Sequence, residues 1–347
     1  MSNYSISQIY PTDNKGLSQV DALLKQEGIS RDPNLDYICG MYDDNYHIIA
    51  TGGCFSNTLR CFAVDHNHQG EGLLNEIISH LIDFQYQRGI LHLFLYTKIN
   101  TSKFFRDLGF YDIAYVDNTL VFMENRKTGF ADYLHELSKT SSDKKSACIV
   151  MNANPFTLGH QYLVEKAASE CDILHLFIVS EDVSLIPFSI RKRLVIEGVS
   201  HLPNVICHDS GSYIISNSTF PSYFLKDEVQ VIKSHCRLDL TIFTKIAEAL
   251  NITSRYVGDE PASQVTSIYN QIMKDELPKN GIECHIIPRK EAFNTPISAS
   301  TVRMLIKNQD YNMLESLLPA SSLEFFKSKE AEPLIERIQK ANTVIHY

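Results

Sequence analysis

Apolar residues recur along this 347-residue chain at two spacings, strand-like and helical, and the order in which they alternate divides the chain in two. In the first part, short apolar runs at 37–41 and 46–52 flank Asp43-Asp44-Asn45, a turn sequence, and predict a hairpin. A third strand is expected over 59–64. From Gly72, the residues Leu73, Leu74, Ile77, Ile78, Leu81 and Ile82 repeat at helical spacing, predicting a helix that runs to Tyr86. A strand at 91–96, a short helix at 102–108 and strands at 111–116 and 120–123 complete a mixed α/β region.

The pattern then lapses. Residues 125–146 are polar apart from a short amphipathic stretch at 130–137, and 138–145 is the most linker-like segment. The expected organisation is therefore a first domain at 1–125, a linker at 126–145 and a second domain at 146–347. In that second domain strands at 147–151, 173–179, 205–208, 255–257 and 284–287 alternate with helices. These are expected at 160–168, 190–199, within 222–250, at 265–273 and at 299–307. Such alternation predicts a parallel sheet covered by helices on both faces, with ligand bound at the carboxyl ends of its strands. Two or three packed helices are expected as a tail from Tyr311.

Composition adds limits to this α/β reading. With 44% hydrophobic and 21% charged residues the chain suits a soluble globular protein. Its formal net charge of -9 opposes nonspecific attraction to nucleic acid. No apolar run approaches the ~20 residues a membrane helix needs. Residues 1–10 lack a basic-then-apolar leader. Cys39, Cys54, Cys61, Cys148, Cys171, Cys207, Cys236 and Cys284 form no C-x-x-C pair and read as reduced thiols, favouring the cytoplasm. His66-x-His68 reads as two exposed side chains, so no resident metal site is expected.

The chemistry gathers after the strand at 147–151. There Asn152-Ala153-Asn154-Pro155-Phe156 forms a loop and Gly159-His160 opens a helix, placing backbone N–H groups and a positive helix end beside any ligand above the sheet. Gly159 permits close approach, and Thr157 and His160 add donors. The cluster suits phosphate, and it is not a Walker loop, because G-x-x-x-x-G-K-S/T is absent. The residues alone leave the acceptor open.

Thr157-Leu158-Gly159-His160 resembles the H/T-x-G-H signature of the nucleotidylyltransferase superfamily. Ile297-Ser298-Ala299-Ser300-Thr301-Val302-Arg303 resembles its second signature, I-S-S/T-S/T-x-x-R. The resemblance implies that Thr157 and His160 contact ATP phosphates, and that Ser298, Ser300 and Arg303 hold the β- and γ-phosphates. It implies Gly258 and Asp259 near the nucleotide, with Asn154 and Gly159 in the binding loop and Arg191 as a further cation. His160, Thr157 and Arg303 are then the catalytic candidates, and Mg2+ is expected to be bound mostly by phosphates. The helix-cap role of Ser298 and Ser300 is compatible with this.

In the first part, Gln69-Gly70-Glu71-Gly72 before the helix, together with Phe104-Phe105-Arg106-Asp107-Leu108-Gly109-Phe110, resembles the GNAT acyltransferase fold. In that fold a glycine-rich loop cradles the pyrophosphate of coenzyme A. Gln69, Gly70 and Gly72 are the implied contacts to a CoA-like arm. Asn67 stands where the family has Gln or Arg, and Phe105 where many members carry Tyr, which favours arm binding over ordinary N-acetyl transfer.

A GNAT-like α/β domain followed by a Rossmann-like nucleotidylyltransferase domain with a helical tail resembles the citrate lyase ligase family. The segments Tyr213-Ile214-Ile215-Ser216, Thr219-Phe220-Pro221-Ser222-Tyr223-Phe224-Leu225-Lys226 and Arg255-Tyr256-Val257-Gly258-Asp259-Glu260-Pro261 add to the likeness. Within them Lys226 reads first as a snorkelling surface residue, and Thr219-Phe220-Pro221 suits the wall of a small substrate pocket. Membership implies that ATP and acetate give acetyl-AMP and pyrophosphate. The acetyl group then passes to the thiol of the CoA-like prosthetic group on the acyl carrier subunit of citrate lyase. Two rivals remain at this point: an adenylyltransferase acting on a phosphate monoester such as phosphopantetheine, and a nucleotide-sensing adaptor without turnover.

Overall fold

A computed structural model of the chain describes residues 4–116, 119–214, 220, 228–259 and 264–344. Two compact units result, Met1–Asp132 with Pro221–Leu238, and Tyr133–Phe220 with Asp239–Tyr347. Thr219, Pro221, Lys226, Glu260 and Pro261 lie outside the described residues; Phe220 is described and buried.

The first unit contains β1 (Ser5–Gln8), α1 (Asn14–Gln26), β2 (Tyr37–Tyr42), β3 (Ile48–Phe55), β4 (Thr58–Val64), α2 (Leu73–Gln87), β5 (Phe94–Lys98), α3 (Ser102–Asp107), β6 (Tyr111–Val116) and β7 (Leu120–Glu124). α4 (Gly129–Ser138) follows, counted in the second unit from Tyr133. The seven strands form one sheet in the order β1-β2-β3-β4-β5-β7-β6. All neighbours are antiparallel except β4 and β5, whose parallel ladder holds only at Thr58–Phe94 and Leu59–Leu95. Beyond those two pairs the strands part.

Two departures from the sequence pattern have local causes. β1 and α1 come from a stretch to which the pattern assigned nothing. Yet α1 is capped by Asp13, which accepts from Gly16 N at 2.9 Å, and it buries Val20, Leu23 and Leu24. The strand expected from residue 91 begins only at Phe94. Just before it, His92 pairs with Glu124 at 2.6 Å and Leu93 N donates to Asn125 Oδ1 at 2.8 Å, so side chains stand where a ladder would.

In the second unit β8 (Ser146–Met151), α5 (Leu158–Ala168), β9 (Ile173–Ile178), α6 (Phe188–Gly198) and β10 (Val205–Asp209) come first. They are followed by α7 (Glu228–Leu250, in this unit from Asp239), β11 (Ile252–Gly258), α8 (Gln264–Glu276), β12 (Glu283–Ile287), the small hairpin β13 (Glu291–Ala292) and β14 (Thr295–Pro296), and α9 (Ala299–Lys307). The tail is α10 (Ala320–Lys327) and α11 (Glu332–Lys340) with short turns between. The sheet runs β10-β9-β8-β11-β12, wholly parallel. Chain order proceeds outward from β8 to β10, then restarts on the other side at β11. Strand order therefore reverses between β8 and β11, and the carboxyl ends there open a crevice.

One face of this sheet buries Ala147, Ile149, Leu174, Leu176 and Tyr256 in a core shared with Val164 of α5, Val195 of α6, Val302 and Ile306 of α9, and Phe325 and Ile338 of the tail. On the other, Arg255 reaches Asp239 of α7 at 3.2 Å and lies 4.2 Å from the centre of the Phe243 ring. This is the Rossmann-like parallel architecture that the alternation predicted. All eight cysteines are free thiols. Among the described residues no helix is long and apolar enough to cross a membrane.

Candidate active site

The crevice between β8 and β11 holds a cavity of about 330 Å³. Asn154, Thr157, Gly159, His160, Gly258, Ser298, Ser300 and Arg303 all line it, so eight positions spread over 150 residues of sequence meet in one place. The first turns of α5 and α9 both face this space. Each contributes the positive end of a helix, where an anion is favoured. Gly159 lies against the entrance of α9: a Cβ built there would sit 3.2 Å from Ile297 O.

Thr157 and His160 form a reciprocal cap on α5. His160 N donates to Thr157 Oγ1 at 3.4 Å, while Thr157 N donates to His160 Nδ1 at 3.1 Å. Because Nδ1 accepts a backbone N–H, it carries no proton, and the neutral ring holds its proton on Nε2. Thr157 Oγ1, 2.9 Å from Nδ1, must then donate as well. The ring stacks near Phe156, with centroids 5.9 Å apart. Its pKa is lowered to about 4: the enclosure strips solvent from the ring although part of it still faces the cavity, and Arg289 and Arg303 repel a second proton. At neutral pH His160 is therefore a neutral hydrogen-bond donor.

The cations are distributed differently from the expectation. Arg191 does not line the cavity. It is fully buried, and its guanidinium donates to four backbone carbonyls: Ile186 at 3.0 Å, Asn152 at 2.7 Å, Val179 at 2.8 Å and Glu181 at 2.6 Å. It ties together the loops after β8 and β9, whose carbonyls have no ladder partner and need donors. Burial lowers its pKa to about 10, so it stays charged at neutral pH. Arg303 does line the cavity, but it also staples backbone: it donates to Val344 O at 2.7 Å, to Asn154 O, and to Ser300 Oγ at 3.2 Å. Asp259 stands just outside, at the end of β11, and its carbonyl accepts from Arg289 Nε at 2.8 Å. Arg289, which no motif pointed to, lines the cavity. The one signal for it was a cation two residues after a predicted strand of the parallel sheet.

The tail braces the same loop. Leu317 O accepts from Leu158 N at 2.9 Å, and buried Ser322 donates to Phe156 O at 2.8 Å. Polar groups at the start of α5 are thereby satisfied without closing the side that faces the cavity.

The first unit has its own, larger cavity of about 610 Å³ where β4 and β5 part. Gln69, Gly70 and Gly72 line it, with Phe62 and Val64 from β4, Tyr96 and Lys98 from β5, and Phe104 and Phe105. Gly72 caps α2 at φ +80°, a left-handed conformation that a Cβ would strain. Asn67 is not among the lining residues.

The family of citrate lyase ligase C-terminal domains matches residues 146–326. The chain is 38% identical over 323 residues to the citrate (pro-3S)-lyase ligase of Haemophilus influenzae, covering 91% of this chain and 96% of that protein. It is 36% identical over 333 residues to the enzyme of the same name from Escherichia coli, covering 94% of each. Among solved structures it is similar to an acetyltransferase of the GNAT family from Staphylococcus aureus. That likeness is 15% identical with a TM-score of 0.30, and covers 35% of this chain and 99% of the other.

Proposed function

The chain belongs to the citrate lyase ligase family and is an enzyme of the ligase class; on that premise we propose that it activates acetate with ATP and acetylates the carrier thiol of citrate lyase. A carboxylate oxygen of acetate attacks the α-phosphorus, the bond from that phosphorus to the bridging oxygen breaks, and pyrophosphate leaves. The thiol sulfur then attacks the acetyl carbon of acetyl-AMP, AMP departs with the bonding electrons, and the thiol proton passes to solvent. The CoA-like arm on the acyl carrier subunit supplies that thiol.

The observation that carries the reading is the convergence on one cavity of two helix N-termini, the His160 donor and two arginines. This donor set fits a polyphosphate. His160 would donate its Nε2–H to a phosphate oxygen, Thr157 would hold the ring in that tautomer, and Ser298 and Ser300 would bind at the start of α9. A preorganised donor of this kind contributes typically ~3–4 kcal/mol to lowering the barrier. Among the described residues no carboxylate lines the cavity; magnesium held mainly by phosphate oxygens would supply further charge neutralisation.

The division of labour follows the expected boundaries: residues 146–347 adenylate acetate, 126–145 join the parts, and 1–125 bind the prosthetic arm through Gln69, Gly70 and Gly72. The parting of β4 and β5 supports this, since it gives an extended arm room between two strands. Purified protein should exchange labelled pyrophosphate into ATP only when acetate is present. Exchange that ignores acetate but proceeds with phosphopantetheine would instead favour transfer to a phosphate monoester.

A further inference from the structure

A triphosphate brings about four negative charges at neutral pH, and enclosing them requires a cation whose N–H groups meet the cavity. The three arginines near this crevice differ sharply in what they do. Arg191 spends its guanidinium on four backbone carbonyls and lines no part of the cavity. Arg303 is buried and clamps the Asn154 loop to Val344 at the end of the tail. Arg289 stands at the carboxyl end of β12 and is only partly buried.

Its position is fixed from two sides. Arg289 Nε donates to Asp259 O at the end of β11, at 2.8 Å, which sets the plane of the guanidinium at the cavity edge. The next residue, Lys290, accepts from Ile297 N at 3.0 Å, tying the same backbone to the entrance of α9. Arg289 is thus held between the strand ends and the Ser298-Ala299-Ser300 turn.

We infer that Arg289, which the sequence pattern did not single out, receives the pyrophosphate portion of ATP in this cavity beside Ser298 and Ser300, where the resemblance placed Arg303 and offered Arg191 only as a further cation. The inference rests on reading the cavity as the nucleotide site. It makes Arg303 chiefly a positioning residue, which keeps the Asn154 loop and the Ser300 hydroxyl in place. Its charge also reaches His160, where with Arg303 it opposes protonation of the ring.

Calorimetric titration of the full chain with ATP, inorganic pyrophosphate and adenosine tests this. R289Q is expected to weaken ATP and pyrophosphate binding at least tenfold, leave adenosine binding unchanged, and flatten the dependence of ATP affinity on salt. R289K should recover part of the affinity. A readout independent of ligand is the His160 ring titration by NMR, which should move upward in R289Q. R289Q protein that binds ATP and pyrophosphate as tightly as the parent overturns the inference while leaving the nucleotide reading intact. Parent protein that binds neither overturns the nucleotide reading, and this inference with it.

Discussion

At position 159 a methyl group would stand 3.2 Å from Ile297 O, closer than such contacts normally settle, and the gap it would fill is the one between the first turns of α5 and α9. Gly159→Ala should therefore act on the ligand more than on the fold. Acetate-dependent exchange is expected to fall more than tenfold with the melting temperature moved by only a few degrees; a large loss of stability with normal exchange would contradict that. His160 gives a sharper test. Its pKa of about 4 keeps the ring neutral above pH 5, so it works as an Nε2–H donor and not as an acid. The exchange rate should show no step near 6.5, the ordinary histidine value, and His160→Ala should lower kcat by roughly 10²–10³, as loss of one preorganised donor does. An inflection near 6.5 that disappears in His160→Ala would assign proton transfer to the ring instead. The arginines show where sequence reading stops. Residue type and rough position were legible for Arg191 and Arg303, but the bonds their guanidinium groups make to backbone carbonyls of the loops after β8 and β9 were not. Arg289 belongs to no motif; it follows the end of β12 and is held at the cavity by its bond to Asp259 O and by the backbone bond between Lys290 and Ile297.

Most elements were legible because their apolar spacing is strong: β8, α5, α9 and β12 lie within a residue or two of where the pattern put them. α1 escaped because its buried face is thin, although the Asp13 cap was a readable signal. The hairpin β13–β14 has two residues per strand, too few for any period to show. The parting of β4 and β5 was also hidden, since it depends on where a ladder ends and not on which residues form it. That parting sets the element-scale prediction. Gly72 caps α2 in the left-handed region at the mouth of the larger cavity, and a side chain there costs about 1–2 kcal/mol of local strain. Gly72→Ala is expected to raise KM for the carrier thiol at least fivefold while acetate-dependent exchange stays at the parent rate. Equal losses in both half-reactions would argue against assigning arm binding to the first unit.

At the scale of the whole molecule, buried histidines link pH to stability. His175 of β9 and His208 of β10 face each other with Nδ1 and Nε2 2.9 Å apart, and His208 also stacks on Phe177, with Asp209 adjacent. His175 is fully buried and its Nε2 has no partner among the described residues, so a proton there would be a stranded donor; the ring instead donates from Nδ1 to His208. Both rings are held near pKa 4 by burial, with His208 adding repulsion to His175, and His160 makes a third. A histidine whose folded pKa lies below its unfolded value binds more protons when unfolded. Stability from such a group is intact above about 6.5 and is lost as pH falls from there towards 4. Scanning calorimetry should show the melting temperature dropping steadily from pH 7 to pH 5. His208→Gln keeps an acceptor for His175 Nδ1–H but removes one titrating ring, so its drop over the same interval should be shallower. Equal melting temperatures at pH 7 and pH 5 in the parent protein would mean that these rings are solvated, and that the sheet opens between β9 and β10 more readily than its packing implies.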